Sequence, residues 1–442
     1  MCDLGSDTMY EKIVRYLMFP LLEVRGNYLT HLSEMGKLQW EKPAVIEQRL
    51  LKKIRHIVQH AYNSVPYYRQ KLRELGIVPD EIRGLKDFER LPTLDRKQLA
   101  ENFHDQGISC SVPSWRRRLV RTSGASGETA MLYGDRGASG LALAIRSLFG
   151  TWTGVGPERS QVIIRTQTHL DERIFFNRYE ISTLSFSERS LPRIVRVIQT
   201  RKPAVLEGYP SYLARLADFE SAASTRHFSP SAIVSFGETL LESYRNSIAH
   251  AFDCPIFDMY GAAEVGPIAQ ECNVHEGLHV NTEGVYIEIV KDGQGASEGE
   301  EGGVIATSLT NEVMPVIRYE LGDLAVKGST CSCGRGFPVI QKLSGRVSES
   351  VRTSSGETIS LVSLYVTLNV FAQYLRWVGF EQPRDGFINI KIVPSAAYSD
   401  QIGDEIVSHF QRRVPRLKCS LKVEQTIPEL TGRKTRLVET AC

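Results

Sequence analysis

The chain has 442 residues, of which 42% are hydrophobic and 24% are charged, as in an ordinary globular protein. This length exceeds what a single hydrophobic core usually organises, and it predicts two or three domains. The formal net charge of +2 gives no electrostatic reason to expect nucleic acid or an anionic membrane as a partner.

No apolar stretch reaches the ~18 residues that a membrane-spanning helix needs. The apolar segment at residues 16–22 contains Pro20 and follows acidic residues, so it does not resemble a secretory signal. We therefore expect a cytoplasmic protein. Its 8 cysteines are too few for a disulfide scaffold in a chain of this length, and free thiols or metal ligands are expected instead.

The first hundred residues are predicted to be helical, because apolar residues recur at the spacing of one helix face between residues 50 and 61. Pro66 is expected to end that helix, since the residue before a proline avoids helical backbone angles.

From about residue 160, short apolar strands alternate with helices. Strands are predicted at residues 162–164, 204–206, 232–234 and 255–260, and helices around residues 212–216 and 240–252. This alternation predicts a parallel sheet with helical crossovers, whose ligands bind beyond the carboxyl ends of the strands.

After Gly277 the pattern favours β-structure, with strands at residues 285–289 and 304–307 around a polar hairpin region. The last hundred residues are predicted to form a separate small α+β domain. In it, Ile388, Ile390 and Ile392 lie on one strand, and Ser399 can cap a helix.

The densest cluster of hydroxyls and glycines lies at residues 121–129, where glycines let backbone N–H groups surround an anion. It is not a Walker A loop, because no Gly-Lys-Ser/Thr follows. From composition alone, a flexible surface turn is the alternative.

Four further stretches follow in a characteristic order, and they are Phe-Gly-Glu-Thr-Leu at 236–240, Tyr-Gly-Ala-Ala-Glu at 260–264, Met-Pro-Val-Ile-Arg-Tyr-Glu-Leu-Gly-Asp at 314–323 and Gly-Arg at 345–346. With the loop, they resemble the motifs of the adenylate-forming superfamily of acyl-CoA synthetases, adenylation domains and luciferases. The phenylacetate–CoA ligase-like branch, which includes capsular-polysaccharide proteins, is the most similar, over nearly the whole chain.

The resemblance implies a large N-terminal domain (residues 1–344) with parallel-rich sheets and helical crossovers, and a mobile C-terminal α+β lid (residues 345–442). It implies that ATP activates a small carboxylic acid as an acyl-AMP and that the acyl group passes to the thiol of coenzyme A. Small residues around 208–211 and 261–263 favour an aryl acid.

Two other functions stay open. The acyl group could pass to an amine, a hydroxyl or a carrier protein, because residues 347–349 depart from the usual hinge sequence. A non-enzymatic zinc-stabilised binding module would require every motif to be coincidental. The oligomeric state is also open, with a homodimer as the alternative to a monomer.

The resemblance implies a role for each motif residue. Binding of the β- and γ-phosphates falls to Thr122, Ser123, Gly124 and Ser126. Contacts with adenine fall to Tyr260 and to the backbone at Gly237, Glu238 and Gly261. Glu264 would bind Mg²⁺, since a hard cation prefers carboxylate and phosphate oxygens.

The remaining roles lie further along the chain. Asp323 would accept hydrogen bonds from both ribose hydroxyls. The expected catalytic residues are Glu264, Arg346 and Lys434, with Lys434 bridging the substrate carboxylate and the α-phosphate. Arg433 stands where the family usually has glycine, so Arg433 is the alternative catalytic cation. Taken singly, each of these residues would be an ordinary turn or strand-end residue.

Three thiols and one imidazole complete the set of candidates. Cys272, His279, Cys331 and Cys333 can form a closed tetrahedral site of the structural zinc type. The Cys-x-Cys spacing is tighter than the usual Cys-x₂-Cys, and the alternative is unrelated thiols with a core histidine. Some members of the branch carry zinc at matching positions.

Overall fold

The computed structural model describes residues 26–101, 106–121, 131–156, 158–166, 173–175, 178–187, 189–222, 228–428 and 437–440. Among these residues, no helix combines the length and the apolar character needed to cross a bilayer.

The described N-terminal part is helical, as predicted. Its helices are α1 (Tyr28–Leu38), α2 (Pro43–Ser64), α3 (Pro66–Glu74), α4 (Leu85–Phe88) and α5 (Arg96–Glu101). The apolar positions of α2 that were predicted to share one face are buried. Helix α2 ends where the proline requires it, because Val65 is extended, with φ −114° and ψ 114°.

A 13-stranded sheet forms the centre of the molecule, and its parallel half confirms the predicted strands. The strands of that half are β3 (Gln161–Arg165), β5 (Arg178–Ser182), β6 (Val205–Gly208), β7 (Ala232–Phe236) and β8 (Ile256–Ala262), with β4 (Arg173–Phe175) antiparallel at the edge.

Helices cover both faces of these parallel strands. The helices are α6 (Ser139–Trp152), α7 (Leu191–Arg201), α8 (Pro210–Ala222) and α9 (Glu242–Phe252). Alternate residues of β7 show the arrangement, because Ile233 packs in the core with α7, α8 and α9, whereas Ala232 and Val234 pack with α6. Burial on both faces explains why these strands are continuous apolar runs in the sequence.

The other half of the large sheet is antiparallel. Its strands are β9 (Gly266–Glu271), β10 (Leu278–Val280), β11 (Val285–Lys291), β12 (Gln294–Gly295), β13 (Glu301–Ser308), β14 (Tyr319–Lys327) and β15 (Val339–Arg346). The predicted hairpin is confirmed by the pairing of β11 with β13. The full order is β12-β11-β13-β14-β15-β10-β9-β8-β7-β6-β3-β5-β4.

A separate hairpin flanks the predicted phosphate loop. It consists of β1 (Arg117–Arg121) and β2 (Met131–Asp135), which pair in antiparallel register. The loop that joins them lies outside the described residues. Asn311 donates its side-chain N–H to the Tyr133 carbonyl at 2.9 Å, so the hairpin is bonded to the segment that precedes β14.

A second N-terminal segment is bonded to the start of β14. Leu94 forms a parallel bridge with Tyr319, in which the Leu94 N–H donates to the Arg318 carbonyl at 2.9 Å and the Glu320 N–H donates to the Leu94 carbonyl at 3.0 Å. Arg318 itself has φ +50° and a buried side chain. Its guanidinium makes a bidentate ion pair with Glu288, at 2.7 and 3.0 Å, and also donates to the carbonyls of Glu89 and Leu91.

The C-terminal part has its own sheet and core, which confirms a smaller α+β domain beside the large sheet. A two-stranded sheet, β16 (Val351–Arg352) with β17 (Thr358–Ile359), precedes a four-stranded sheet of β18 (Leu375–Arg384), β19 (Phe387–Pro394), β20 (Lys418–Val423) and β21 (Val438–Thr440). The helices are α10 (Leu361–Leu368) and α11 (Asp400–Arg413).

One local prediction in this domain is wrong in its mechanism. Ser399 stands at the N-cap position of α11, but its side chain makes no capping hydrogen bond. The helix instead presents an apolar face, in which Ile406 and Phe410 are fully buried in the core of this domain. Packing of that face, rather than a capping interaction, therefore stabilises the helix.

The Arg318–Glu288 pair predicts a large and specific loss of stability. Arg318→Met would leave Glu288 buried without its counter-charge, so we expect the free energy of unfolding to fall by about 3–5 kcal/mol. Lys291→Met is the control, because it removes the partner of Glu300 from an exposed pair and should leave the free energy of unfolding nearly unchanged. Urea denaturation measures both, and equal losses would contradict this account.

Candidate active site

The carboxyl ends of β6 and β7 form one wall of the site. Gly237, directly after β7, has φ +82°, a conformation that glycine adopts without strain. The Glu238 carboxylate accepts a hydrogen bond from the Ser211 N–H at 3.1 Å, in the first turn of α8. A carboxylate is favoured there because the helix N-terminus carries partial positive charge. This hydrogen bond to Glu238 thus links two of the predicted ligand-binding loops.

Tyr260 and Asp323 are joined directly, although they belong to distant strands. The Tyr260 hydroxyl donates to Asp323 Oδ2 at 2.6 Å. Their strands, β8 and β14, are separated in the sheet order by β9, β10 and β15. In a flat sheet four steps between neighbouring strands would span about 19 Å. The hydrogen bond therefore requires this part of the sheet to curl, which brings the two predicted motifs together.

Arg346 completes this group from the end of β15. It is the register partner of Asp323, and its Nε lies 3.6 Å from Asp323 Oδ1. Gly322 and Gly345 beside them have φ of +72° and +95°, so both glycines are in left-handed conformations. Three residues predicted to contact the nucleotide, Tyr260, Asp323 and Arg346, thus converge at one point.

Glu264 lies in the turn between β8 and β9, close to the same carboxylate. Burial raises the pKa of Glu264, and repulsion by Asp323 raises it further, whereas Arg96 and Arg346 act in the opposite direction. Two carboxylates that repel each other in a partly buried site favour the binding of a cation. The pKa of Tyr260 is also far above its ordinary value, mainly through burial, so its hydroxyl stays a neutral donor.

The cluster of three cysteines and one histidine is present as predicted. Cys272 follows β9, His279 lies on β10, and Cys331 and Cys333 lie in the loop before β15. Their four ligand atoms lie within 4.8 Å of one another. The Cys272 and Cys331 sulfurs are 3.8 Å apart, and Cys333 Sγ is 3.3 Å from His279 Nε2.

These distances fit a tetrahedral zinc ion. Zinc–sulfur bonds of about 2.3 Å give a sulfur–sulfur edge of about 3.8 Å in a regular tetrahedron. Burial and the nearby Arg335 lower the pKa of His279 to about 4, so the imidazole is neutral, as a metal ligand must be. Backbone N–H groups of Cys333 and Arg335 point at Cys331 Sγ and Cys333 Sγ, at 3.5 and 3.4 Å, which suits thiolates.

Comparison with known proteins finds relatives of the chain among ligases. No protein-family model matches the chain. It is 25% identical to a phenylacetate-coenzyme A ligase of Thermus thermophilus over 395 residues, which are 86% of this chain and 88% of that protein. It is 28% identical to the corresponding Pseudomonas putida ligase over 291 residues, which are 63% of this chain and 66% of that one.

The chain is thus similar, over most of its length, to phenylacetate-coenzyme A ligases, the branch that its motifs resemble. A solved structure of 2-hydroxyisobutyryl-CoA ligase in the postadenylation state, in complex with 2-HIB-AMP, shares the fold. Its TM-score is 0.80 at 21% identity, and the likeness covers 92% of this chain and 91% of that one.

The structural likeness differs between two structures of the same 2-hydroxyisobutyryl-CoA ligase. The TM-score falls to 0.63 against its structure in the thioesterification state. The fold described above is therefore closer to the postadenylation arrangement than to the thioesterification arrangement.

Some predicted site residues lie outside the described residues. They are Thr122, Ser123, Gly124 and Ser126 of the phosphate loop, and Lys434 with its alternative Arg433. Their roles stay predictions.

One residue near the site was missed by the sequence analysis. The charge of Arg96 acts on both Glu264 and Tyr319. The sequence around it, Thr93-Leu94-Asp95-Arg96, carries only the signal of a helix start. Its place beside the site depends on the Leu94–Tyr319 bridge, a long-range contact that spacing does not encode.

Proposed function

We propose that the chain uses ATP to activate a small carboxylic acid as an acyl-AMP, with release of pyrophosphate, and then transfers the acyl group to coenzyme A. The observation that carries this proposal is the convergence of Tyr260, Asp323 and Arg346 beside Glu264. That convergence would supply a hydrogen-bond acceptor for the ribose, a cation and a carboxylate for the metal in one place.

The first half-reaction must overcome the repulsion between a carboxylate and a triphosphate. The acid oxygen attacks the α-phosphorus, and the bond to the β-phosphate oxygen breaks, with its electrons leaving on pyrophosphate. The protein has to fix this geometry and to offset negative charge. Glu264 would hold Mg²⁺, which when bound neutralises charge on the phosphates.

Asp323 binds the ribose in this proposal. An ionised carboxylate can accept hydrogen bonds from both ribose hydroxyls. The Tyr260 hydroxyl occupies one lone pair of Oδ2 at 2.6 Å and so orients the carboxylate before the nucleotide arrives. Arg346, 3.6 Å from Oδ1, offsets the negative charge of Asp323 and can reach the nucleotide from the same side. Adenine would contact Tyr260 and the backbone at Gly237, Glu238 and Gly261.

The acid site is expected at the carboxyl ends of β6 and β7. Tyr209 and Phe236 lie there with ring centroids 5.4 Å apart, which supports an apolar, flat acid such as an aryl acid. The small size of Gly208 has a different reason from the predicted one. A Cβ there would lie 3.2 Å from Leu213 and 3.3 Å from Ile164, so this glycine makes room for the protein's own side chains.

The acceptor is the thiol of coenzyme A, because the relatives and the solved structure reported above are all named as coenzyme A ligases. We therefore do not propose an amine, a hydroxyl or a carrier protein as the acceptor.

The domains would be residues 1–344 and 345–442, and rotation of the smaller domain about Gly345 would present a different set of residues for each half-reaction. The phosphate loop and Lys434 would act in the first half-reaction.

The test separates adenylation from acyl transfer. We expect wild-type protein to exchange pyrophosphate into ATP only when a carboxylic acid is present, and to form a thioester only when coenzyme A is added. Lys434→Ala should lower the exchange rate by about 10²–10³, because one transition-state charge contact is lost. Arg433→Ala is the matched control and should stay near wild type.

Two results would contradict this proposal. Exchange that does not depend on any acid of a broad panel would exclude adenylation of a carboxylate. A severe Arg433→Ala with a near-normal Lys434→Ala would show that the predicted catalytic cation is displaced by one residue.

We also propose that Cys272, His279, Cys331 and Cys333 bind one structural zinc ion. Four protein ligands leave no open coordination position, so the ion takes no part in catalysis. It would connect the segment after β9, which follows the Glu264 turn, with the loop before β15, which ends at Arg346. Zinc would thereby hold two parts of the nucleotide site at a fixed separation.

Elemental analysis tests the zinc proposal. We expect about one zinc per chain, and chelation should lower the unfolding temperature because metal binding stabilises the folded state. Cys331→Ser combined with Cys333→Ser should lose the metal, whereas Cys110→Ser, at an exposed free cysteine, should keep it. Retention of zinc by the double variant would exclude this site.

A further inference from the structure

Arg96 is a cation brought to the nucleotide site by the N-terminal part of the chain. Two residues before it, Leu94 is hydrogen-bonded on both sides to the start of β14, at 2.9 Å to the Arg318 carbonyl and at 3.0 Å to the Glu320 N–H. The bridge is parallel, so the chain leaving Leu94 runs in the same direction as β14. It therefore runs towards Gly322 and Asp323.

The backbone at Arg96 is held on its other side as well. The Asp95 carboxylate accepts from the Gln98 N–H at 2.7 Å, and the Asp95 N–H donates to the Gln98 side chain at 3.1 Å. This reciprocal pair is a capping box, which fixes the start of α5 at Arg96. A third contact, from the Thr93 hydroxyl to Glu320 at 2.7 Å, anchors the same segment.

Helix α5 packs with the elements that are proposed to bind the phosphates of ATP. Leu99 of α5 is buried in the same apolar core as Val265, which follows Glu264, and Leu132, which follows the phosphate loop on β2. Helix α5 thus packs with the two elements on which the proposed Mg²⁺ ligand and the proposed phosphate loop are built. The proposed acid site, at Tyr209 and Phe236, belongs to other strands.

The negative charge of the site favours a cation such as Arg96. Glu264 and Asp323 are the carboxylates, and Arg96 acts on Glu264 together with Arg346. Arg346 is paired with Asp323 at 3.6 Å, on the ribose side. An arginine fork suits phosphate oxygens, which it can bind through two parallel N–H bonds.

We propose that the guanidinium of Arg96 binds the β- and γ-phosphate oxygens of ATP and the leaving pyrophosphate. This inference rests on the proposed adenylation. When the carboxylate oxygen bonds to the α-phosphorus and the bond to the β-phosphate oxygen breaks, Arg96 pairs with the negative charge that builds on pyrophosphate. It transfers no proton.

Equilibrium binding distinguishes this role from a structural one. Titration calorimetry with MgATP, magnesium pyrophosphate and AMP is carried out on wild type, Arg96→Met, Arg96→Lys and Lys97→Met. Arg96→Met should weaken ATP and pyrophosphate by roughly 10- to 100-fold, as expected for charge-assisted hydrogen bonds. AMP lacks both outer phosphates, so its affinity should stay unchanged. Arg96→Lys should recover part of the loss.

Lys97→Met removes an equal charge from an exposed position on the same helix and should bind all three ligands as wild type does. Equal weakening of AMP and ATP by Arg96→Met, or no weakening of either, would overturn the inference.

The exchange assay separates this inference from the function on which it rests. Wild type without acid-dependent exchange would refute the proposed function and the role of Arg96 with it. Wild type that exchanges normally, with an unchanged KM for pyrophosphate in Arg96→Met, would refute the role of Arg96 alone.

Discussion

The hydrogen bond between Tyr260 and Asp323 is the constraint on which the site depends. The two side-chain oxygens are 2.6 Å apart, although three other strands separate β8 from β14 in the sheet order. The curl also brings Asp323 and Arg346 close to the Glu264 turn. Because Arg346 is the last residue of β15, the cation beside Asp323 also lies at the predicted hinge. In the proposed function, nucleotide binding and domain rotation would therefore share a residue.

Charge balance explains the other features of the site. The carboxylates of Glu264 and Asp323 repel each other, and burial strengthens the repulsion because water screens it less. Arg346 and Arg96 offset part of it, and each comes from a different part of the chain. A carboxylate pair that is only partly neutralised attracts a further cation, and a polyphosphate in turn requires cations. In the proposed function, Mg²⁺ and ATP together would complete the charge balance that the protein alone leaves incomplete.

Much of this arrangement could be predicted from local sequence. The apolar run at residues 232–234 is a strand buried on both faces, and the one-face spacing between residues 50 and 61 is a buried helix face. The four candidate ligands of the proposed zinc site were identified from their thiolate and imidazole chemistry together with the resemblance to branch members that carry zinc at matching positions.

The rest depends on contacts between distant segments. The curl that joins Tyr260 to Asp323, the buried Arg318–Glu288 pair and the docking of Arg96 all join residues far apart in the sequence, which periodicity does not encode. Ser399 shows the opposite limit, because its sequence signal was correct for position but not for the capping bond. Gly208 is small to fit Leu213 and Ile164, which composition could not distinguish from lining a cavity.

The most direct measurement is calorimetric binding of a non-hydrolysable acyl-adenylate analogue, an aryl acid joined to adenosine through a sulfamoyl group. We predict that wild type binds it at least about 10²-fold more tightly than AMP, because it joins both half-sites in one molecule. Asp323→Asn should weaken analogue and AMP by a similar factor of roughly 10 to 100, since both carry the ribose. Asp80→Asn, at an exposed position, should weaken neither. An analogue that binds no more tightly than AMP, or an affinity unchanged in Asp323→Asn, would contradict the account.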